Sequence, residues 1–117
     1  MFTISKRCTF EAAHQLRRLP AGHPCSRLHG HSYTVEIVLQ SETLDDAGFV
    51  LDYGQLAPFK QYLDSAFDHR YLNDVLPENP TVENLAHHFY EWAHARWAQV
   101  SAVRVSETAK TYGEYRP

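Results

Sequence analysis

The sequence lacks the features that mark several broad classes of protein. No apolar run approaches the roughly 20 residues that a membrane-spanning helix needs, which argues against a helical membrane protein. Positive charge is not in excess. The net charge is -3 with histidine neutral, so neither nucleic acid nor an anionic membrane surface is expected as a partner. Only two cysteines are present, Cys8 and Cys25, too few for a disulfide framework. There is no internal repeat, low-complexity tract or linker, and the 117 residues are expected to form one domain, 1–117. A chain of this length buries roughly two thirds of its unfolded surface, enough for a core without staples. The opening Met1-Phe-Thr-Ile-Ser-Lys-Arg7 has no apolar signal core, and a cytoplasmic location is expected.

What the chain does have in quantity is histidine, eight residues in 117. Two of them fall in Cys25-Ser-Arg-Leu-His29-Gly-His31, separated only by glycine. An extended segment turns both rings to the same side. From His29 onward the alternation is clean, with His29, His31, Tyr33, Val35, Ile37 and Leu39 on one face and Ser32, Thr34, Glu36 and Gln40 on the other. That is the pattern of a half-buried antiparallel strand. An earlier strand shows the same period: Phe2, Ile4, Cys8, Phe10 and Ala12 share a parity that Lys6 breaks and His14 extends. If the two strands are neighbours, His14 joins His29 and His31 on one face. Three imidazoles so placed suit a catalytic zinc, which takes three protein ligands and keeps one position open. The alternative is three unrelated histidines. Cys8 reads as a small core residue and Cys25 as an accessible loop thiol.

Leu56, Phe59, Leu63 and Phe67 predict a helix from near Gln55, with Asp52 as a candidate N-cap and Pro58 in its first turn. Leu85, Phe89, Trp92 and Arg96 predict a second helix running from an N-cap at Thr81 to near Gln99. Alternation returns over Ala102–Thr108, and the tail from Tyr112 reads as a last edge strand. The order ββααββ predicts an α+β fold, a four-stranded antiparallel sheet with two helices on one face. Such a sheet has two open edges, a liability often removed by pairing with another subunit.

Cys25 has two readings. A thiol beside a divalent cation is favoured as the thiolate, a usable base or nucleophile; alternatively it closes a structural site as a fourth ligand. Asp68-His69 places a carboxylate beside an imidazole at a helix end, although adjacent side chains rarely pair well. Glu107 continues the face of Val103 and Val105, so its carboxylate needs donors from the protein or from the paired N–H groups of a ligand.

Phe10-Glu-Ala-Ala-His14, Cys25-x3-His29-Gly-His31, Leu51-Asp-Tyr-Gly, Asp68-His69 within Leu63–Asn73, Thr81-Val-Glu-Asn and Ser106-Glu107-Thr108 occur in that order. On these motifs the chain resembles the 6-pyruvoyl-tetrahydropterin synthase superfamily over nearly its whole length. The three-residue gap between Cys25 and His29 is similar to the 6-carboxy-5,6,7,8-tetrahydropterin synthase branch of the queuosine and 7-deazapurine pathway. The resemblance implies the T-fold, assembled as trimers stacked into a homohexamer with active sites at subunit interfaces. It implies one zinc per subunit on His14, His29 and His31, and 7,8-dihydroneopterin triphosphate as substrate. Cys25 and the Asp68-polarised His69 would move protons, and Glu107 would anchor the pterin. Residues Thr81 to Glu83 would line its pocket, Val82 departing from a threonine often seen there, and Arg27 is a candidate triphosphate contact. The alternatives are triphosphate elimination without carbon–carbon cleavage, as in the pyruvoyl branch, and pterin or purine binding without turnover.

Overall fold

Strands β1 (Phe2–His14) and β2 (His29–Ser41) form the longest pairing in the computed structural model, which describes residues 1–117. They run antiparallel in a register that sets Phe10 opposite Tyr33, Ala12 opposite His31, and His14 opposite His29. The alternation read from the sequence is therefore the burial pattern of the sheet, and the two histidine-bearing strands are neighbours. After Asp52 caps a single 3-10 turn at Tyr53–Leu56 by accepting from Gly54 N–H, helix α1 (Ala57–Ala66) follows, with Pro58 in its first turn. Strand β3 (Arg70–Tyr71) and the one-turn helix α2 (Leu72–Val75) lead to helix α3 (Val82–His94), then to β4 (Val100–Thr108) and β5 (Thr111–Tyr115).

The sheet has five strands in the order β3-β1-β2-β4-β5, one more than the sequence predicts. The extra strand is short and parallel to β1. His69 N–H donates to the Glu11 carbonyl at 2.6 Å, and this contact lays Arg70 and Tyr71 beside Ala12 and Ala13. Helix α3 begins at Thr81 as predicted, with the Thr81 hydroxyl accepting from Asn84 N–H. It ends at His94 rather than near Gln99. The N–H groups of both Arg96 and Trp97 turn back onto the Ala93 carbonyl, and the His94 ring meets the Val100 carbonyl at 3.0 Å.

The helices cover one face of the sheet. Phe59, Leu63, Phe67, Leu85, Phe89 and Ala93 pack on Phe10, Tyr33, Val35, Ile37, Val103 and Val105 in one buried cluster. Each large apolar side chain so buried contributes roughly 1.5–3 kcal/mol before entropy is counted. Cys8 belongs to this core, and both cysteines are free thiols. The opposite face is polar, with Arg104 held between Glu36 and Glu114. No helix is long and apolar enough to cross a membrane.

Candidate metal centre and acid–base groups

The core ends in imidazole where the helices no longer cover the sheet. His14, His29 and His31 each bring one ligand nitrogen to a group whose atoms lie within 4.8 Å of one another. The rings are wedged edge to face, with centroids 4.5–5.0 Å apart. Two backbone carbonyls orient them. His14 Nδ1 lies 2.9 Å from the Pro80 carbonyl and His29 Nδ1 lies 2.7 Å from the Arg27 carbonyl. A carbonyl only accepts, so each Nδ1 carries the proton and each Nε2 presents a lone pair to the cluster. These two Nε2 atoms are 2.9 Å apart. Two lone pairs at that distance need a proton or a cation between them.

His31 Nε2 is buried with no hydrogen-bond partner at all. An orphaned buried nitrogen is rare and costly. Three Nε2 atoms of a tetrahedral zinc site sit roughly 3.3 Å apart, given Zn–N bonds of about 2.0–2.1 Å. The residues therefore fit a metal ion. Burial also pushes the His14 imidazole below its ordinary pKa, against the opposing pull of the Pro80 carbonyl, which favours the neutral form a metal requires.

Tyr33 was not predicted as part of this site, although it continues the parity of His29 and His31. Its hydroxyl is 3.1 Å from His14 Nδ1, and burial drives its pKa well above the ordinary phenolic value. Pro80 contributes through its main chain alone, a role that no side-chain pattern announces.

Glu107 lies where strand β4 passes the cluster. Its Oε2 is 3.6 Å from His31 Nε2 and 3.8 Å from His14 Nε2, and the side chain is 28 % exposed. The predicted carboxylate thus stands at the mouth of the three-histidine cluster. Cys25 sits in a single 3-10 turn, Pro24–Ser26, and its thiol is not one of the clustered ligands. His23 caps this turn by accepting Cys25 N–H at 3.0 Å on Nδ1. Arg27 ends the turn; its exposed side chain makes no ion pair, while its carbonyl orients His29. Glu83 is exposed in the first turn of α3, and the Thr81 oxygen is engaged as that helix's cap.

Asp68 and His69 do pair, contrary to the sequence expectation for adjacent residues. His69 adopts φ 58°, a left-handed conformation that non-glycine residues seldom take and that bends its ring back toward Asp68. His69 Nδ1 and Asp68 Oδ2 are 2.9 Å apart, and Asp68 Oδ1 accepts Glu11 N–H at 2.8 Å. These two hydrogen bonds, the Glu11 amide first, hold the Asp68 carboxyl below its ordinary pKa. The His69 side chain is 79 % exposed and borders a cleft of about 550 Å³ floored by Glu11–Ala13 and Gly30–Ser32. His31 borders the same cleft, although no hydrogen bond or ring contact joins His69 to His14, His29 or His31 within the chain.

This arrangement can be set beside known proteins. A model of 6-pyruvoyl tetrahydropterin synthase matches residues 3–117. The chain belongs to the 6-pyruvoyl tetrahydropterin synthase family. Within that family it is similar to the 6-carboxy-5,6,7,8-tetrahydropterin synthase of Bacillus subtilis, 34% identical over 99% of this chain and 86% of the relative. The Synechocystis protein of the same name is 35% identical over 98% and 93%. A dihydroneopterin monophosphate aldolase of Pyrococcus furiosus is 34% identical over 71% and 67%. The fold is that of the 6-pyruvoyl tetrahydropterin synthase of Caenorhabditis elegans, with a TM-score of 0.86 at 24% identity over 99% of this chain and 95% of that one. The family places the chain among enzymes of pterin metabolism.

Proposed function

We propose that the chain converts 7,8-dihydroneopterin triphosphate, with one water, to 6-carboxy-5,6,7,8-tetrahydropterin, acetaldehyde and triphosphate, in 7-deazapurine (queuosine) biosynthesis. The observation that carries this reading is the convergence of three oriented imidazoles, one with an orphaned Nε2, in a chain whose near-full-length relatives bear that synthase name. His14, His29 and His31 would hold zinc, which when bound acidifies hydroxyl and C–H groups of a coordinated side chain.

The chain's own groups then have distinct tasks. The Glu107 carboxylate accepts two parallel hydrogen bonds from the pterin ring N–H and exocyclic amine. Because Glu107 stands beside His14 and His31, a ring anchored there has its side-chain carbons close to the metal site. Cys25 takes a proton from the substrate side chain on one side. His69, its Nδ1 held by Asp68, moves a proton on the other through Nε2.

His69 is exposed on a cleft that His31 also borders, with no hydrogen bond to the cluster of its own chain, which supports a site completed by a neighbouring subunit in a homo-oligomer built from trimers. The long outer edge of β1 and the edge of β5 are free to pair between copies. The test is to incubate zinc-loaded protein with the triphosphate and quantify acetaldehyde and 6-carboxytetrahydropterin. Equimolar formation of both supports the reading. Accumulation of 6-pyruvoyltetrahydropterin without acetaldehyde moves the chain to the pyruvoyl branch, and tight binding without turnover makes it a pterin-binding protein.

A further inference from the structure

Beyond His14 the chain leaves β1, yet its backbone remains paired, by side chains standing in for a strand. Gln15 N–H donates to Asn73 Oδ1 at 2.9 Å, and the Gln15 carbonyl accepts from Asn73 Nδ2 at 2.7 Å. Two residues on, Arg17 N–H donates to Asn79 Oδ1 at 2.9 Å and its carbonyl accepts from Asn79 Nδ2, also at 2.9 Å. A primary amide carries a donor and an acceptor side by side, as a peptide group does, so each asparagine replaces one residue of a neighbouring strand.

Leu16, between the two, points its N–H the other way. It donates to the Cys25 carbonyl at 3.1 Å, a main-chain tie between this segment and the turn that carries the thiol. The support is anchored in turn. Asn73 lies in α2, and the Asn79 carbonyl accepts Asn84 Nδ2 from the first turn of α3 at 2.8 Å. The residue after Asn79 is Pro80, whose carbonyl orients His14. One short wall therefore fixes both a metal ligand and the main chain next to Cys25.

We propose that Asn73 and Asn79 are positioning residues for Cys25: they hold Gln15 and Arg17 so that Leu16 fixes the Cys25 turn against the metal centre. The proposal rests on the reading of Cys25 as a proton-transfer group. Cys25 is half-buried on a short turn whose other hydrogen bonds are internal to it, Cys25 N–H to the His23 ring and Ser26 N–H and Oγ to the His23 carbonyl, so the Leu16 bond is the main-chain tie from Cys25 to another segment. Small displacements of a reacting group are expensive. A misplacement of about 1 Å can cost on the order of 10²-fold in rate.

The experiment uses the intact, zinc-loaded chain and its Asn73→Ala and Asn79→Ala variants, with Asn73→Asp as a change that keeps the acceptor for Gln15 N–H but opposes the Gln15 carbonyl with a second acceptor. Alkylation of Cys25 by iodoacetamide is followed by peptide mass spectrometry, zinc content is measured, and kcat and KM are determined separately. In the alanine variants Cys25 should alkylate at least ~5-fold faster, kcat should fall at least ~10-fold and KM should stay within ~2-fold, with zinc retained. Asn73→Asp, which turns an acceptor toward the Gln15 carbonyl, should match or exceed Asn73→Ala on both the rise in alkylation and the fall in kcat. Unchanged alkylation in the alanine variants overturns the clamp, whatever Cys25 does. Faster alkylation with unchanged kcat overturns positioning, and Cys25→Ala then separates the causes. If that variant is inactive the role of Cys25 survives alone; if it is active, that role falls too.

Discussion

His14 Nε2 and His29 Nε2 face each other at 2.9 Å although the Nδ1 proton of each ring is already donated to a carbonyl, of Pro80 and Arg27 respectively. The contact is repulsive in the neutral metal-free protein and becomes favourable once a cation lies between the nitrogens. Zinc should therefore bind at one ion per chain and stabilise the fold. At free zinc about 100 times its Kd, linkage gives ~2.7 kcal/mol, or roughly 10 °C in Tm for a chain of this size. His29→Ala and His31→Ala should each lose stoichiometric zinc and the zinc-dependent rise in Tm, read by metal analysis and thermal denaturation.

His69 faces a cleft that His31 also lines, but no hydrogen bond joins it to the cluster of its own chain, and the proposed function gives its proton transfer to a neighbour's site. Cys25→Ala and His69→Ala chains should each be inactive as pure oligomers. Co-assembled in equal amounts, they should regain roughly a quarter of wild-type turnover, the fraction of sites that draw both intact groups from different chains. If both groups act within one chain, co-assembly restores nothing.

Gly113 on β5 comes so close to α3 that a Cβ placed there would lie 2.9 Å from Val82 Cγ2. Gly113 leaves room for the Val82 side chain. Gly113→Ala should destabilise by about 1–3 kcal/mol through overpacking. Val82→Ala in the same chain should recover most of that loss, measured by urea denaturation as a double-mutant cycle.

His88 packs among aromatic rings of the helical layer, and its Nε2 lies 2.6 Å from the Tyr62 hydroxyl. Burial pushes its pKa below the ordinary 6.5; Glu78 opposes this shift and His87 adds to it. As pH falls below 6.5 the unfolded chain takes up this proton before the folded one does, so stability falls with pH from there downward. His88→Gln should flatten the fall in unfolding free energy between about pH 7 and 5. An unchanged slope would contradict the assignment.

Much of this was readable from side-chain periodicity. The parity of Phe10, Ala12 and His14 against His29, His31 and Tyr33 names the strands, their burial and the three histidines that could hold a metal, because period-two alternation and antiparallel pairing leave little freedom. Thr81 marks the start of α3 because a hydroxyl before a helix has a specific N–H to accept. The rest depends on the main chain. Pro80 and Arg27 act through carbonyls that every residue possesses, and Asn73 and Asn79 through amides whose targets lie far away in sequence. The Asp68–His69 pair and the added strand β3 both follow from a left-handed backbone at His69, which its residue type permits but does not announce.

His14, His29 and His31 should form an open metal site with Cys25 outside the metal's coordination. X-ray absorption at the zinc edge of the loaded protein tests it most directly. The expected result is three nitrogen neighbours at roughly 2.0–2.1 Å with a fourth light atom, oxygen, and no sulfur. A sulfur neighbour at ~2.3 Å would put Cys25 on the metal, close the site and remove Cys25 as a proton-transfer group.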